Sequence, residues 1–211
     1  MDRTAPTPPA NALAPDLPED IAREAIAFRR LLHGHPELDL HLPRTQAAVL
    51  ERLEALRAEA GEDAATGRPA LETSVGRALS SVVVVLRGGA PLPEGARRPV
   101  VLLRGDMDAL PVTEETGLEY APSVPGTMHA CGHDIHTTAL LSACDILDHT
   151  RENWSGTYIA LFQPGEETGA GAAAMLEDGL WERAPRPEVV TPGQNIPQMA
   201  SNTAPNDAEW E

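Results

Sequence analysis

The chain has 211 residues, 42% of them hydrophobic, with two cysteines, seven histidines and a formal charge of −16. Its 16 basic residues face 32 acidic ones, and no basic stripe is present to neutralise phosphates, which argues against a nucleic-acid partner. No apolar run is long enough to cross a bilayer, and "MDRTAPTPPANALAPDLPED" lacks the charged-then-apolar order of a secretion signal; a cytoplasmic protein with reduced thiols and no membrane partner is expected.

Residues 1–16 are proline-rich and read as a disordered tail. From Leu17 to Leu32 the residues Ile21, Ala25, Ile26, Phe28 and Leu32 recur at steps of three and four, with acids early and arginines late, which predicts a helix. "HGHPELDLHLPRT" interrupts it, and "TQAAVLERLEALRAEAG" resumes the periodicity until Gly61 closes it. "SSVVVVLRGG" and "PVVLLRGDMDAL" are continuous aliphatic runs of the kind buried on both faces of a sheet, with "PLPEGARR" as a polar turn or loop between them. "IHTTALLSACDILDHT" returns to helical spacing, "SGTYIALFQPGEE" reads as a strand running into a proline and two acids, and "TGAGAAAMLEDGL" is a glycine-rich helical stretch. Strands alternating with helices predict a three-layer α/β domain with a largely parallel sheet. Ligands of such sheets gather beyond the carboxyl ends of the strands, where Asp106 and Asp108 follow one strand and Glu166 and Glu167 another. From 191 to 211 the composition turns to Pro, Asn, Ala and Ser, a second disordered tail.

The segment "GTMHACGHDIHTTALL" gathers His129, Cys131, His133, Asp134 and His136 ahead of an apolar helix. A zinc-like ion takes nitrogen, sulfur and carboxylate donors, and Cys131, His133 and Glu167 supply such a mixed set. Cys131 and His133 are two apart, so they share a side only on extended or looped backbone. That places them just before the helix, whose positive end favours a thiolate. Adjacent carboxylates repel, so a cation best fixes one, Glu167, and leaves Glu166 to take a proton from water. Asp106 and Asp108 alternate at their strand end, where they can orient a metal ligand from behind. The competing readings are a polar turn capping a buried helix, solvated loop acids, and a thiol nucleophile formed by Cys131 with His133. The last of these has no need of the paired acids.

"MHACGHDIHTTALL", "LFQPGEETGAGA", "LRGDMDALPVTEETGLEY" and "RRLLHGHPELDLHLPRTQ" together resemble the metal-dependent amidohydrolases that include hippurate hydrolases, N-acyl-amino-acid deacylases and indole-3-acetyl-amino-acid hydrolases. The resemblance covers residues 17 to 190 and implies a zinc-exopeptidase-like catalytic domain that hydrolyses the amide bond of a small N-acyl amino acid, with Zn²⁺ or Mn²⁺ as cofactor. By it Cys131, His133 and Glu167 are metal ligands, Glu166 is the general base, and Asp108 falls at the family's strand-end aspartate. The family also carries a histidine soon after the paired acids, in a stretch like "VVLGQH", another near the far C-terminus, and an inserted lid through which it forms homodimers. Here the last histidine is His149, and "VVTPGQNIPQ" puts Asn195 near the place of the first. The chain is therefore expected to be a truncated copy, with an incomplete catalytic domain at 17–190 and an unrelated tail after it. A metal-binding fragment without activity is the alternative, separated from the enzyme by whether bound metal comes with turnover.

Overall fold

A computed structural model of the chain describes residues 19–62, 67, 69–92, 94–122 and 125–192. The expected tail at 1–16, the tail from 193 onward and Asn195 lie outside these residues. The aliphatic runs become the middle of a five-stranded sheet built from β1 (Leu71–Val75), β2 (Val82–Arg87), β3 (Val100–Asp106), β4 (Thr157–Gln163) and β5 (Val189–Pro192), in the order β1-β2-β4-β3-β5. Alternate residues of the central strands point to opposite faces, and both faces are apolar. Val82, Val84 and Leu86 of β2 with Tyr158, Ala160 and Phe162 of β4 belong to one core, while Val83, Val85, Ile159 and Leu161 belong to another.

The first core is covered by α1 (Glu19–His33), α2 (Pro43–Ala60) and α3 (His133–His149) through Phe28, Leu32, Val49, Leu53, Leu140 and Leu141. The second is covered by α4 (Gly171–Glu177) and α5 (Leu180–Arg183) through Met175 and Leu180. This is the three-layer α/β architecture that the alternation predicts. Helix α2 ends at Gly61, whose φ of 67° closes it. Its residue before the first turn, Leu42, offers no capping side chain. Glu37 does this from outside, accepting the N–H groups of Arg44 and Thr45 at 3.2 and 2.8 Å.

Four of the five strands point the same way, but β2 runs against them, so β1·β2 and β2·β4 are antiparallel and only β3·β4 and β3·β5 are parallel. The reversal comes from the short turn after β1, where Gly76 N–H donates to Ser81 O at 2.9 Å; a parallel partner needs a long crossover. The chain also reverses direction between β2 and β3, but the two strands are not hairpin partners, since β4 lies between them in the sheet. Thr191 and Pro192, read as the start of the tail, belong to β5. Cys131 and Cys144 are unpaired. Among the described residues no helix is long and apolar enough to cross a membrane.

The carboxyl ends of β3 and β4 lie side by side, Asp106 opposite Gln163. Helix α4 starts hard against the chain leaving β4. A Cβ on Gly171 would lie 2.0 Å from Pro164 O and 2.7 Å from Gln163 Nε2. Gly171→Ala is therefore expected to destabilise the fold by about 1–3 kcal/mol through overpacking, read from the midpoint of chemical denaturation. An unchanged midpoint would mean that the turn after β4 yields without cost.

Candidate metal centre

Three segments meet at the ends of β3 and β4. The first continues from β3 to Asp108, whose buried carboxylate accepts the backbone N–H groups of Glu166 and Glu167 at 3.0 Å each. The second is the turn carrying those two acids, bracketed by Gly165 and Gly169 with φ of 70° and 68°, a region that glycine enters without steric cost. The third is the start of α3. Gly132 has a φ of 80°, and this left-handed bend brings Cys131 and His133 to the same side. His133 is the first residue of α3 rather than a residue ahead of it, which corrects the sequence placement.

The Nδ1 atom of His133 lies 2.8 Å from the Asp108 carbonyl oxygen, which sets the ring so that Nε2 faces the acids. From Nε2 the distances are 3.6 Å to Asp106 Oδ2, 3.7 Å to Glu166 Oε2 and 3.8 Å to Glu167 Oε1. Ligands of one tetrahedral ion with bonds near 2.1 Å stand about 3.4 Å apart, so this spacing fits a shared cation. Donor atoms of Cys131, His133 and Glu167 lie within 4.8 Å of one another, and so do those of Asp106, His133 and His136. Glu167 Oε1 is buried with no hydrogen-bond partner among the described residues, a costly state for a carboxylate that a cation relieves. The donor set thus fits a divalent metal.

Asp106 stands closer to the donors than a purely supporting group. One of its oxygens is 2.8 Å from His136 Nδ1 and the other 3.1 Å from Arg104 Nη2. His136 was not singled out by sequence as a site residue. Its signal is its spacing of three from His133, which places both on one face of α3. Asp134 turns away to α1, and His129 is buried with neither ring nitrogen hydrogen-bonded among the described residues.

Burial pushes the Asp106 carboxyl up, but the His136 hydrogen bond and the Arg104 and His133 charges outweigh it and hold the group below its ordinary range. Asp108 is likewise raised by burial and brought lower still by His133 and the two backbone N–H groups. Burial lowers His133, yet Asp108 and Asp106 carry it above its usual value. His129 is pushed down to about 4, mainly by burial. The Cys131 thiol is pushed up to about 11 by its hydrogen bond to Glu167, then by burial and the charges of Glu167, Glu166 and Asp106. The expected thiolate is therefore not what the protein alone favours. The nearby carboxylates outweigh the helix end, and a cation is needed to reverse them.

A three-layer domain that gathers a thiol, imidazoles and carboxylates beyond the ends of two parallel strands is a frame for a divalent metal. Residues 102–203 match the family described as Peptidase family M20/M25/M40. The match runs past residue 190, where the sequence reading set its boundary. The chain is similar to the N-acetyl-L-cysteine deacetylase of Bacillus subtilis, 39% identical over 160 residues, which are 75% of this chain and 34% of that protein. It is also similar to the N-acetyldiaminopimelate deacetylase of Streptococcus uberis, 36% identical over 185 residues, covering 86% of this chain and 44% of that protein. The chain thus spans less than half the length of these relatives. Among solved structures, the YXEP protein of Bacillus subtilis, described as a dinuclear metal binding peptidase from the M20 family, superposes with a TM-score of 0.68 and 31% identity over 82% of this chain and 43% of that one.

Because Glu167 is the leading cause of the raised thiol, Glu167→Gln is expected to lower the Cys131 pKa and speed its alkylation in metal-free protein at mildly alkaline pH, while Zn²⁺ protects Cys131 in the wild type. Equal rates for the two metal-free proteins would detach Glu167 from the thiol, and equal rates with and without Zn²⁺ would show that the thiol never meets the ion.

Proposed function

We propose that the chain carries the metal-binding and proton-handling part of an enzyme that hydrolyses the amide bond of N-acyl amino acids, with Zn²⁺ or Mn²⁺ as its cofactor. The observation that carries this reading is the convergence of Cys131, His133 and the buried Glu167 oxygen, with Glu166 at 3.7 Å from the same His133 nitrogen. The names of two relatives, deacetylases of N-acetyl-L-cysteine and N-acetyldiaminopimelate, support the substrate class. A mixed sulfur, nitrogen and oxygen set suits zinc, and the carboxylates also accommodate manganese. The reading assigns residues 17–190 to the catalytic domain, with hippurate and N-acetyl amino acids as the first substrates to try and the cytoplasm as the site of action.

In this reading Cys131, His133 and Glu167 hold the ion, which when bound polarises the amide carbonyl and makes water a better nucleophile. Glu166, the more exposed acid at 29% against 18% for Glu167, takes the proton of the attacking water on its carboxylate. Asp108 keeps both acids in place through their backbone N–H groups, and its carbonyl fixes the His133 ring. Cys131 serves as a ligand, not a nucleophile, since its proton is held too firmly for thiolate attack without a cation.

The test is turnover of hippurate and a panel of N-acetyl amino acids by the metal-loaded 211-residue chain and its Glu166→Gln variant. Glutamine keeps the shape but accepts no proton, so the variant should lose at least about a hundredfold in kcat with metal content unchanged. Retained rate would remove Glu166 from the base role, and parallel loss of metal would make it a ligand. Stoichiometric metal without turnover of any substrate would overturn the hydrolase reading.

A further inference from the structure

The block "RRLLHGHPELDLHLPRTQ" carries part of the family resemblance, yet no residue in it has a role in the chemistry so far. His33, the last residue of α1, is 2% exposed and sits between two carboxylates. Its Nδ1 lies 2.7 Å from Asp134 Oδ2 and 3.2 Å from Arg29 Nη2, and its Nε2 lies 3.1 Å from Glu114 Oε2. Asp134 is fully buried, takes a second contact from Arg29 Nε at 2.8 Å, and accepts the Ile135 N–H at 2.9 Å. The contacts matter because α3 has no side-chain cap: Gly132 stands at its start. The first turn of the helix, with His133 next to Asp134, is held by α1 instead.

The same residues fasten the loop between β3 and α3. Among the described residues of 107–132 there is no helix or strand, only the bridge between Leu110 and Met128 and turns, although one end carries Asp108 and the other Cys131. Long irregular loops stay in place only where something pins them. Here Glu114 meets His33, and Tyr120 receives Arg29 Nη1 at 3.1 Å, with the guanidinium groups of Arg29 and Arg30 at 5.3 and 5.1 Å from its ring centre. His33 packs edge-on against the same ring at 5.4 Å. One histidine thus joins the middle of the loop to the turn that follows its end.

We infer that His33 is a positioning residue for the metal centre. Acting through Asp134 and Glu114, it holds the Cys131–His133 turn where its donors meet Glu167. The inference rests on the metal-centre reading of that turn but not on the identity of the substrate. Metal ligands tolerate displacements of only about 0.2 Å, so a loosened turn loses affinity before it loses structure. Partners behind metal ligands typically contribute tenfold to a hundredfold in affinity.

The experiment measures Zn²⁺ affinity of the full chain by competition with a chromophoric chelator, at a temperature where circular dichroism shows each variant folded. His33→Ala should weaken Zn²⁺ about tenfold or more, and His33→Gln, which keeps one donor, should recover part of the loss. Leu53→Ala, in the α2 core away from the centre, should lower the thermal midpoint yet leave affinity within about twofold. If His33→Ala does not fold, Glu114→Gln carries the same expectation from the loop side. Unchanged Zn²⁺ affinity in the His33 or Glu114 variants, or an equal loss in Leu53→Ala, overturns the positioning role and leaves the proposed hydrolase standing. A wild-type chain that retains no Zn²⁺ overturns both.

Discussion

The site depends on one buried carboxylate, that of Asp108. Its two oxygens accept the backbone N–H groups that aim Glu166 and Glu167, and its carbonyl oxygen meets the ring of His133. A buried acid is costly unless fully hydrogen-bonded, so Asp108 and the turn after β4 hold each other in place. Hydrogen bonds to a charged acceptor are roughly twice as strong as neutral ones. The end of one strand, the acidic turn after its neighbour and the first residue of a helix are therefore fixed together by a single side chain and its own backbone.

That knot can form only because β3 and β4 are parallel and in register to their ends, with Asp106 beside Gln163. Arg104 points along the same edge, donating from Nε to Gln163 Oε1 at 2.9 Å and pairing with Asp106 through Nη2. Thr137 of α3 donates to the Asp106 carbonyl at 2.8 Å, so helix and strand end are joined on the other side as well. The local charge balance is negative around Cys131, and the protein answers by keeping the thiol protonated. A divalent ion changes the sign of that balance and makes sulfur, imidazole and carboxylate compatible in one place.

Much of this was legible in the sequence. The runs of β2, β3 and β4 showed as strands because burial on both faces removes any polar alternation, and α1, α2 and α3 showed through their periodicity. Strands β1 and β5 escaped notice, being short, at the sheet edges and, in β1, polar at Glu72, Thr73 and Ser74. The reversed direction of β2 was not legible either, since it is set by which strand lies next to it. Cys131, His133 and the two glutamates stand out in the sequence because their residue types and short spacings carry a chemical signature, and the fold brings donor atoms of Cys131, His133 and Glu167 within 4.8 Å of one another. The contact of His33 with Asp134 bridges 101 positions, and no local pattern announces such a pair. The raised pKa of the metal-free thiol is hidden from local pattern for the same reason: its leading cause is Glu167, which is distant in sequence and adjacent in space.

The place of β4 in the sheet bears on the order of assembly. It lies between β2 and β3 but follows both in the chain, so those strands have no common partner until residues 157–163 insert between them. Non-local pairing of this kind closes late, after its loop entropy has been met. Glu166 and Glu167 come directly after that strand and reach the Cys131–His133 turn only when it docks. A chain emerging from the ribosome therefore shows a thiol and imidazoles first and the acids last. Docking of β4 therefore closes the middle of the sheet and the Cys131, His133 and Glu167 donor group in one step.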